Sequence, residues 1–311
     1  MTELYFDITR RYFLAALGMM AAYFSLAPHR LLGAGGSPIR RPIPSTGEQL
    51  PVIGMGTSQT FDVGDDTVAK SRLAEVLQIF FDHGGALIDS SPMYGSAEAV
   101  AGQLLSVTRN TGALFAATKV WTDGQAAGVR QMEHSMQRMG VPVMDLMQIH
   151  NLRDWQVHLP TLRQWKQARK LRYIGITTSH GRDHGELERV LRSETFDFVQ
   201  FSYNIEDRSV EDRLFPLAAD RGIATLINRP FQRGSLFRKV RKLPLPDWSA
   251  DIDCQSWGQF FLKWIVGHPA VTCVIPATSK PRHMEDNIAA GFGRLPDAKM
   301  RRRMQQYFAS L

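Results

Sequence analysis

A chain of 311 residues exceeds the usual size of a small single core but matches one large α/β barrel, which favours one domain over several. With 44% hydrophobic and 22% charged residues, the composition excludes collagen, coiled coil and wholesale disorder. Only two cysteines are present, Cys254 and Cys273, which excludes a disulfide scaffold; they are not spaced as a metal knuckle, and no metal site is expected. The net charge of +7 is spread along the chain. Its tightest run, Arg301-Arg302-Arg303, sits in a short amphipathic tail ending in Tyr307-Phe308 and reads as a solvated helix face, so nucleic acid is not expected as a partner.

In chain order, the first segment stands apart. Arg10-Arg11-Tyr12-Phe13-Leu14 precedes an uncharged apolar stretch from Ala15 to Ala27, and a breaker region follows with Pro28, Gly33, Gly35, Gly36 and Pro38. That order is the order of an export signal. The paired arginines followed by Phe-Leu resemble a twin-arginine signal, whose pathway carries folded proteins. The apolar run is shorter than the roughly 20 residues that span a bilayer, and no clean small-x-small cleavage site stands near Ala34. The expectation is a periplasmic or otherwise exported protein that meets the export machinery, with membrane contact only through this segment. An uncleaved signal would leave a tether, and an unused one a cytoplasmic protein. The boundaries expected are 1–34 for the signal, 35–49 for a linker and N-terminal hairpin, and 50–311 for the barrel with a helical tail.

From about Pro42, short apolar runs alternate with amphipathic segments. Ile43 to Thr57 opens like a hairpin around Ser45-Thr46-Gly47 and ends in the first strand, Val52 to Thr57. Further strands are expected at 86–89, 114–120, 144–150, 173–177, 196–201, 223–228 and 271–275. Helical periods occupy segments such as 67–83, 126–139, 159–170, 210–221 and 257–266, several closed by glycine. Consecutively apolar strands each followed by a helix imply a parallel sheet, and eight of them imply a (β/α)₈ TIM barrel. A doubly wound sheet fits less well, because no G-x-G-x-x-G follows an early strand. The stretch 233–253, with Pro244, Pro246 and no period, reads as a long lid or binding loop.

Barrel enzymes place reactive groups at the C-terminal ends of strands. The polar residues that end the apolar runs are Asp89, Lys119, His150, Thr177, Gln200 and Asn228, and Tyr94 lies five residues after Asp89. Reducing a carbonyl with hydride places negative charge on oxygen, which needs a proton donor. A phenol with an ordinary pKa near 10 is a poor acid near neutrality, a lysine cation lowers that pKa, and a buried lysine needs a carboxylate to stay charged. Asp89, Lys119 and Tyr94 fit that chain of dependence, with His150 left to orient the carbonyl.

These residues resemble the aldo-keto reductase family. Asp89-Ser90-Ser91-Pro92-Met93-Tyr94-Gly95-Ser96-Ala97-Glu98 is similar to its D-x-A-x-x-Y-G-x-(x)-E stretch, Thr118-Lys119-Val120-Trp121 to T-K-x-W, and Asp145-Leu146-Met147-Gln148-Ile149-His150 to D-L-x-x-x-H. The resemblance spans about Leu50 to Ala290. It implies a nicotinamide-dependent reductase with Tyr94 as general acid, tuned by Lys119 and Asp89, and His150 orienting the carbonyl. Gln200 and Tyr203 resemble Q-x-x-Y-N, in which the amide meets the carboxamide and the tyrosine ring stacks on nicotinamide. Thr177 and Thr178 stand in the family's G-V-S-N, so a hydroxyl replaces an amide. Arg233, Gly234 and Leu236 resemble a stretch whose backbone amides meet the pyrophosphate. The segment Ile275 to Asn287 resembles the adenosine-phosphate segment, with Asn287 at the adenine position, Thr278 and Thr57 also assigned to the cofactor, and His283 where many members carry arginine. Lys280, helped by Arg282, is the expected substitute phosphate holder, which favours NADPH and keeps NADH open.

Met93 and Trp121 are expected to line the pocket for a small-molecule carbonyl substrate. His180 and His184 read as surface residues, and Cys273 as a small buried hydrophobe. The alternative function is a dinucleotide-binding sensor or regulatory subunit on the same barrel, which would have no need for the Tyr-Lys-Asp coupling. A hydrolytic barrel finds no metal cluster, G-x-S-x-G or close pair of strand-end carboxylates.

Overall fold

The computed structural model describes residues 36–311, so the export signal expected at 1–34 lies outside the described residues. The described chain opens with a hairpin: β1 (Arg40–Pro42) pairs antiparallel with β2 (Gln49–Pro51). Its turn is fixed where Thr46-Gly47 suggests, with the N–H groups of both residues donating to the Ile43 carbonyl at 3.1 and 2.8 Å.

Eight strands follow in one parallel sheet: β3 (Met55–Gly56), β4 (Leu87–Asp89), β5 (Phe115–Val120), β6 (Met144–Ile149), β7 (Leu171–Thr177), β8 (Phe198–Ser202), β9 (Ala224–Asn228) and β10 (Cys273–Val274). Each pairs with its neighbour in sequence, and the parallel bridges Ile53–Val274 and Gly56–Ala277 join the last strand to the first. All six residues of β5 are buried, as a sheet covered on both faces requires. This is the (β/α)₈ barrel expected from the alternation of apolar and amphipathic runs.

Helices α1 (Thr67–Asp82), α2 (Ala97–Leu105), α3 (Gln125–Met139), α4 (Trp155–Gln167), α5 (His184–Ser193) and α6 (Leu214–Asp220) follow β3 to β8 in turn. In α1 the Asp66 side chain caps the first turn by accepting from Ala69 N–H, and Leu73, Val76, Leu77, Phe80 and Phe81 form the buried stripe. That spacing is one face of a helix, and each such side chain removed from water stabilises by about 1.5–3 kcal/mol.

The long segment after β9 differs from the expected period-free loop. It contains α7 (Ser235–Val240) and a 3₁₀ turn at Asp247–Ile252 before α8 (Trp257–Val266). Beyond β10 come α9 (Pro281–Ala289) and α10 (Ala298–Ala309), the latter carrying Arg301-Arg302-Arg303. Ile43 and Leu50 from the hairpin pack with Leu87, Phe115, Tyr173, Phe198 and Cys273 at the starts of the strands. The N-terminal end of the barrel is therefore plugged, which leaves the C-terminal end for chemistry. Among the described residues no helix is long and apolar enough to cross a membrane.

Candidate active site

At the C-terminal ends of β4 and β5, Lys119 Nζ donates to Asp89 Oδ2 at 2.5 Å and to the Ser90 carbonyl at 2.7 Å. Both side chains are buried. Burial alone drives a lysine toward its neutral form, but the charge and hydrogen bond of Asp89, with Tyr94 beside them, outweigh it and raise Lys119 above the ordinary lysine pKa. Asp89 is held from its other side as well: Oδ1 accepts from Gln148 at 2.7 Å and from Gln200 at 3.2 Å. Gln148 is not among the residues expected from the motifs; its place two residues before His150 on β6 carries it to the same inner face.

Tyr94 stands beside this pair, with Lys119 Nζ 5.2 Å from its ring centroid and the His150 ring 6.0 Å away, edge to face. The expectation that Lys119 lowers the phenol pKa is corrected in its net effect. Burial raises the Tyr94 pKa more than Lys119 lowers it, and Asp89 adds to the rise, so the phenol holds its proton near neutrality.

The loop carrying Tyr94 is fixed by Asp62, which accepts from Ser96 N–H and from Ser96 Oγ, both at 2.9 Å. Gly95 between them has φ 59°, and a Cβ there would stand 2.3 Å from Asp62 Oδ1. The backbone angle favours glycine, and a Cβ would in addition push the Asp62 carboxylate off Ser96. Asp62 is also a functional neighbour that the motif alone does not reveal.

His150 is buried, and burial together with Lys119 lowers its pKa to about 2, so it is neutral. Ser91 Oγ lies 3.1 Å from His150 Nδ1 and accepts from Met93 N–H at 3.3 Å. The tautomer that carries the imidazole hydrogen on Nε2 pairs with a Ser91 hydroxyl that donates to Nδ1. The family stretch carries alanine where this chain has Ser91.

A cavity of about 1120 Å³ opens over these groups. Its wall includes Asp89, Tyr94, His150 and Met93, together with Thr57, Thr177, Thr178, Gln200, Arg233, Gly234, Thr278 and Asn287. The Thr178 hydroxyl is buried on that wall without a hydrogen-bond partner. An unsatisfied buried hydroxyl is costly unless a ligand group engages it, so this position fits a carboxamide. Gln200 reaches the wall with its N–H groups directed at Asp89 and at Gln148 Oε1, and its Oε1 accepts from Asn228 at 3.2 Å. Only the remaining lone pair of Oε1 is free to receive a ligand N–H.

Four expected residues lie elsewhere. Tyr203 is fully buried against Phe215 and Trp264, its hydroxyl bonded to Glu211 and Arg301, and it is absent from the cavity wall. Strand parity explains the correction: Gln200 and Ser202 point inward, so Phe201 and Tyr203 point outward to the helices. The structure therefore assigns no nicotinamide stacking to Tyr203. Lys280 precedes α9 and is exposed, off the wall, whereas His283 and Asn287, four residues apart on one face of α9, line the cavity. Leu236 is buried in α7 and also off the wall. Trp121 sits behind His150, ring centroids 6.4 Å apart, with Arg153 over its face, and is likewise not a wall residue.

Arg182, Arg229, Phe231 and Phe237 line the cavity although no motif singles them out. Arg182, Arg229 and Phe231 come from loops, where the period of strand or helix gives no guide to direction, and Phe237 from the short α7. Cys273 is buried as expected, and the described residues contain no group of three or more side chains arranged to hold a metal ion.

The family model described as "Aldo/keto reductase family" matches residues 52–305. The chain belongs to that family. Its relatives include methylglyoxal reductase YeaE of Escherichia coli K12, 24% identical over 77% of this chain and 85% of that protein. The NADH-specific methylglyoxal reductase of the same organism is 24% identical over 68% of this chain and 80% of its own length. An aldo/keto reductase from Klebsiella pneumoniae, solved with NADP and acetate, superposes with a TM-score of 0.70 at 21% identity, covering 84% of this chain and 93% of that one. The chain is an oxidoreductase of the aldo/keto reductase family.

Proposed function

We propose that the protein reduces a small aldehyde or ketone to an alcohol with a nicotinamide dinucleotide, and that NADPH is its usual donor. The observation that carries this reading is the buried Lys119–Asp89 pair beside a protonated Tyr94 and a neutral His150, with Asp89, Tyr94 and His150 on the wall of one cavity. The bound dinucleotide supplies hydride. Tyr94 gives its hydroxyl proton to the substrate oxygen, and Lys119 stabilises the phenolate left behind. His150 donates from Nε2 to the same oxygen and orients it. Thr178 and the free lone pair of Gln200 Oε1 hold the carboxamide, while Thr278, His283 and Asn287 receive the adenosine end. His283 lines the cavity and Lys280 does not, which makes His283 the wall group available to a 2′-phosphate and keeps NADH in play as the alternative donor.

The two methylglyoxal reductases among the relatives make a small 2-oxoaldehyde the first substrate to test. Fluorescence titration with NADPH and NADH, followed by methylglyoxal turnover, tests the reading. Binding of at least one dinucleotide with turnover is expected; binding without turnover of any carbonyl tested would favour the sensor alternative. We further propose that segment 1–34 exports the folded protein through the twin-arginine machinery to the periplasm. Arg10, Arg11, Phe13 and Leu14 ahead of the apolar stretch support this. Replacing Arg10 and Arg11 together by lysine is expected to hold the protein in the cytoplasm, and unchanged fractionation would reject the export reading.

A further inference from the structure

The end of the cavity that holds Tyr94 and His150 is lined also by Met93 and by the loop after β3, which brings Ser58, Thr60 and Asp62 to the wall. Net charge is scarce here. Lys119 and Asp89 offset each other as a buried pair, Tyr94 is protonated and His150 is neutral. Asp62 is the exception: among the described residues its carboxylate forms no ion pair. The arginines of the wall, Arg182, Arg229 and Arg233, stand on the loops after β7 and β9, the side given above to the dinucleotide.

The Asp62 carboxylate is fixed in place before any substrate arrives. The Thr57 N–H donates to the Asp89 carbonyl at 3.0 Å, which ties the loop after β3 to the strand end that precedes Tyr94, and the Phe61 N–H closes a turn onto the Thr57 carbonyl at 3.1 Å. Phe61 is fully buried and anchors the loop, while Asp62 beside it is exposed. Asp62 Oδ1 takes both Ser96 bonds, and these hold the carboxyl below the usual carboxylate range, so it is ionised near neutrality. Those same bonds set the carboxylate against Gly95, the residue directly after Tyr94.

With the substrate oxygen held by Tyr94 and His150, a substituent on the carbonyl carbon faces this end of the wall. A carboxylate there meets Asp62 as like charge against like, whereas an acetyl or alkyl group does not. We propose that Asp62 is a specificity-determining residue that sets substrate class by charge: it turns away 2-oxo acids, whose carboxylate adjoins the reacting carbon, and admits neutral 2-oxoaldehydes. The proposal rests on the reductase reading above. Because Asp62 is exposed, its discrimination weakens as salt is raised.

Methylglyoxal and glyoxylate are both aldehydes of similar size, and they differ in the acetyl or carboxylate group beside the reacting carbon. Asp62→Asn keeps an oxygen for the Ser96 bonds and removes the charge. The variant is expected to raise kcat/KM for glyoxylate relative to methylglyoxal by about fivefold over wild type, chiefly through KM, the scale of one partly screened like charge. Raising the ionic strength is expected to move the wild-type ratio toward that of the variant. A ratio within about twofold of wild type would overturn the proposal. So would an equal rise in Ser96→Ala, which keeps the charge and loosens the loop. Wild-type protein that binds neither dinucleotide and reduces neither aldehyde would overturn the reductase reading and this proposal together, whereas turnover of both aldehydes with an unmoved ratio in Asp62→Asn would overturn the proposal alone.

Discussion

Tyr94 meets two opposed demands: a general acid must hold its proton until hydride arrives, yet release it as charge develops on oxygen. Burial raises its pKa and Lys119 lowers it, so the phenol rests protonated beside the cation that will stabilise its anion. Tyr94→Phe is expected to leave less than a tenth of wild-type turnover with dinucleotide affinity within about twofold, measured by steady-state kinetics and titration. Lys119→Met removes the cation and leaves Asp89 buried without it. Loss of one partner of a buried pair costs about 3–5 kcal/mol, so a fall in denaturation midpoint should accompany the loss of turnover; unchanged stability would mean that water already reaches Asp89. Ser91→Ala frees Nδ1 of His150 and lets the imidazole populate the wrong tautomer. A fall in kcat/KM of about threefold to tenfold, the scale of one neutral hydrogen bond, is expected, with recovery in Ser91→Thr. The four motif residues were legible singly because each ends an apolar run or follows one at fixed spacing. Ser91, Gln148 and Asp62 were not, because their roles depend on which side chain faces them across the register.

Direction along an element decided which expected residues reached the cavity. In β8 the period of two sends Gln200 inward and Tyr203 outward, a parity readable from the sequence once Gln200 is assigned. On α9 the period of 3.6 groups His283 with Asn287 and leaves Lys280 off the wall. The eight strands were legible because a short apolar run bounded by polar ends is too brief for a buried helix and suits a strand covered on both faces. The six-residue α7 was not, since a helix that short supplies fewer than two turns of period and Pro244 and Pro246 follow closely. The loop between β4 and α2 shows how one residue fixes a whole connection. Gly95→Ala forces a Cβ against Asp62 at a backbone angle that alanine disfavours by roughly 1–2 kcal/mol. The variant is expected to melt several degrees lower, at about 2–4 °C per kcal/mol for a chain of this size, and to lose turnover as Tyr94 shifts. A crystal structure of that variant with the Asp62–Ser96 bonds intact would contradict the account.

At the scale of the molecule the barrel is polarised: the hairpin seals one end with apolar side chains, and buried polar groups gather at the other. That arrangement makes the fold sensitive to acid through histidines held neutral. His150 is lowered to about 2 by burial and by Lys119, and His268 to about 4 by burial and by Arg301. His268 is stacked on Phe215 at 4.4 Å, and its Nδ1 accepts from Ala270 N–H at 3.1 Å, a bond available only to the deprotonated nitrogen. An unfolded histidine titrates near pH 6.5. Above that value neither state binds these protons and the full stability is present. Below it the unfolded chain takes up protons that the native barrel refuses, so stability falls as pH falls, through about 4 for His268 and on toward about 2 for His150. His180, His184 and His283 are lowered in the same direction. Melting temperature is therefore expected to be flat from about pH 8 to 7 and to decline from about pH 6.5 to 5, above the range where carboxylates titrate. His268→Gln, which keeps a side-chain oxygen for the Ala270 amide and cannot be protonated in this range, should make that decline shallower. Equal slopes in variant and wild type would show that His268 does not carry its share of the acid sensitivity.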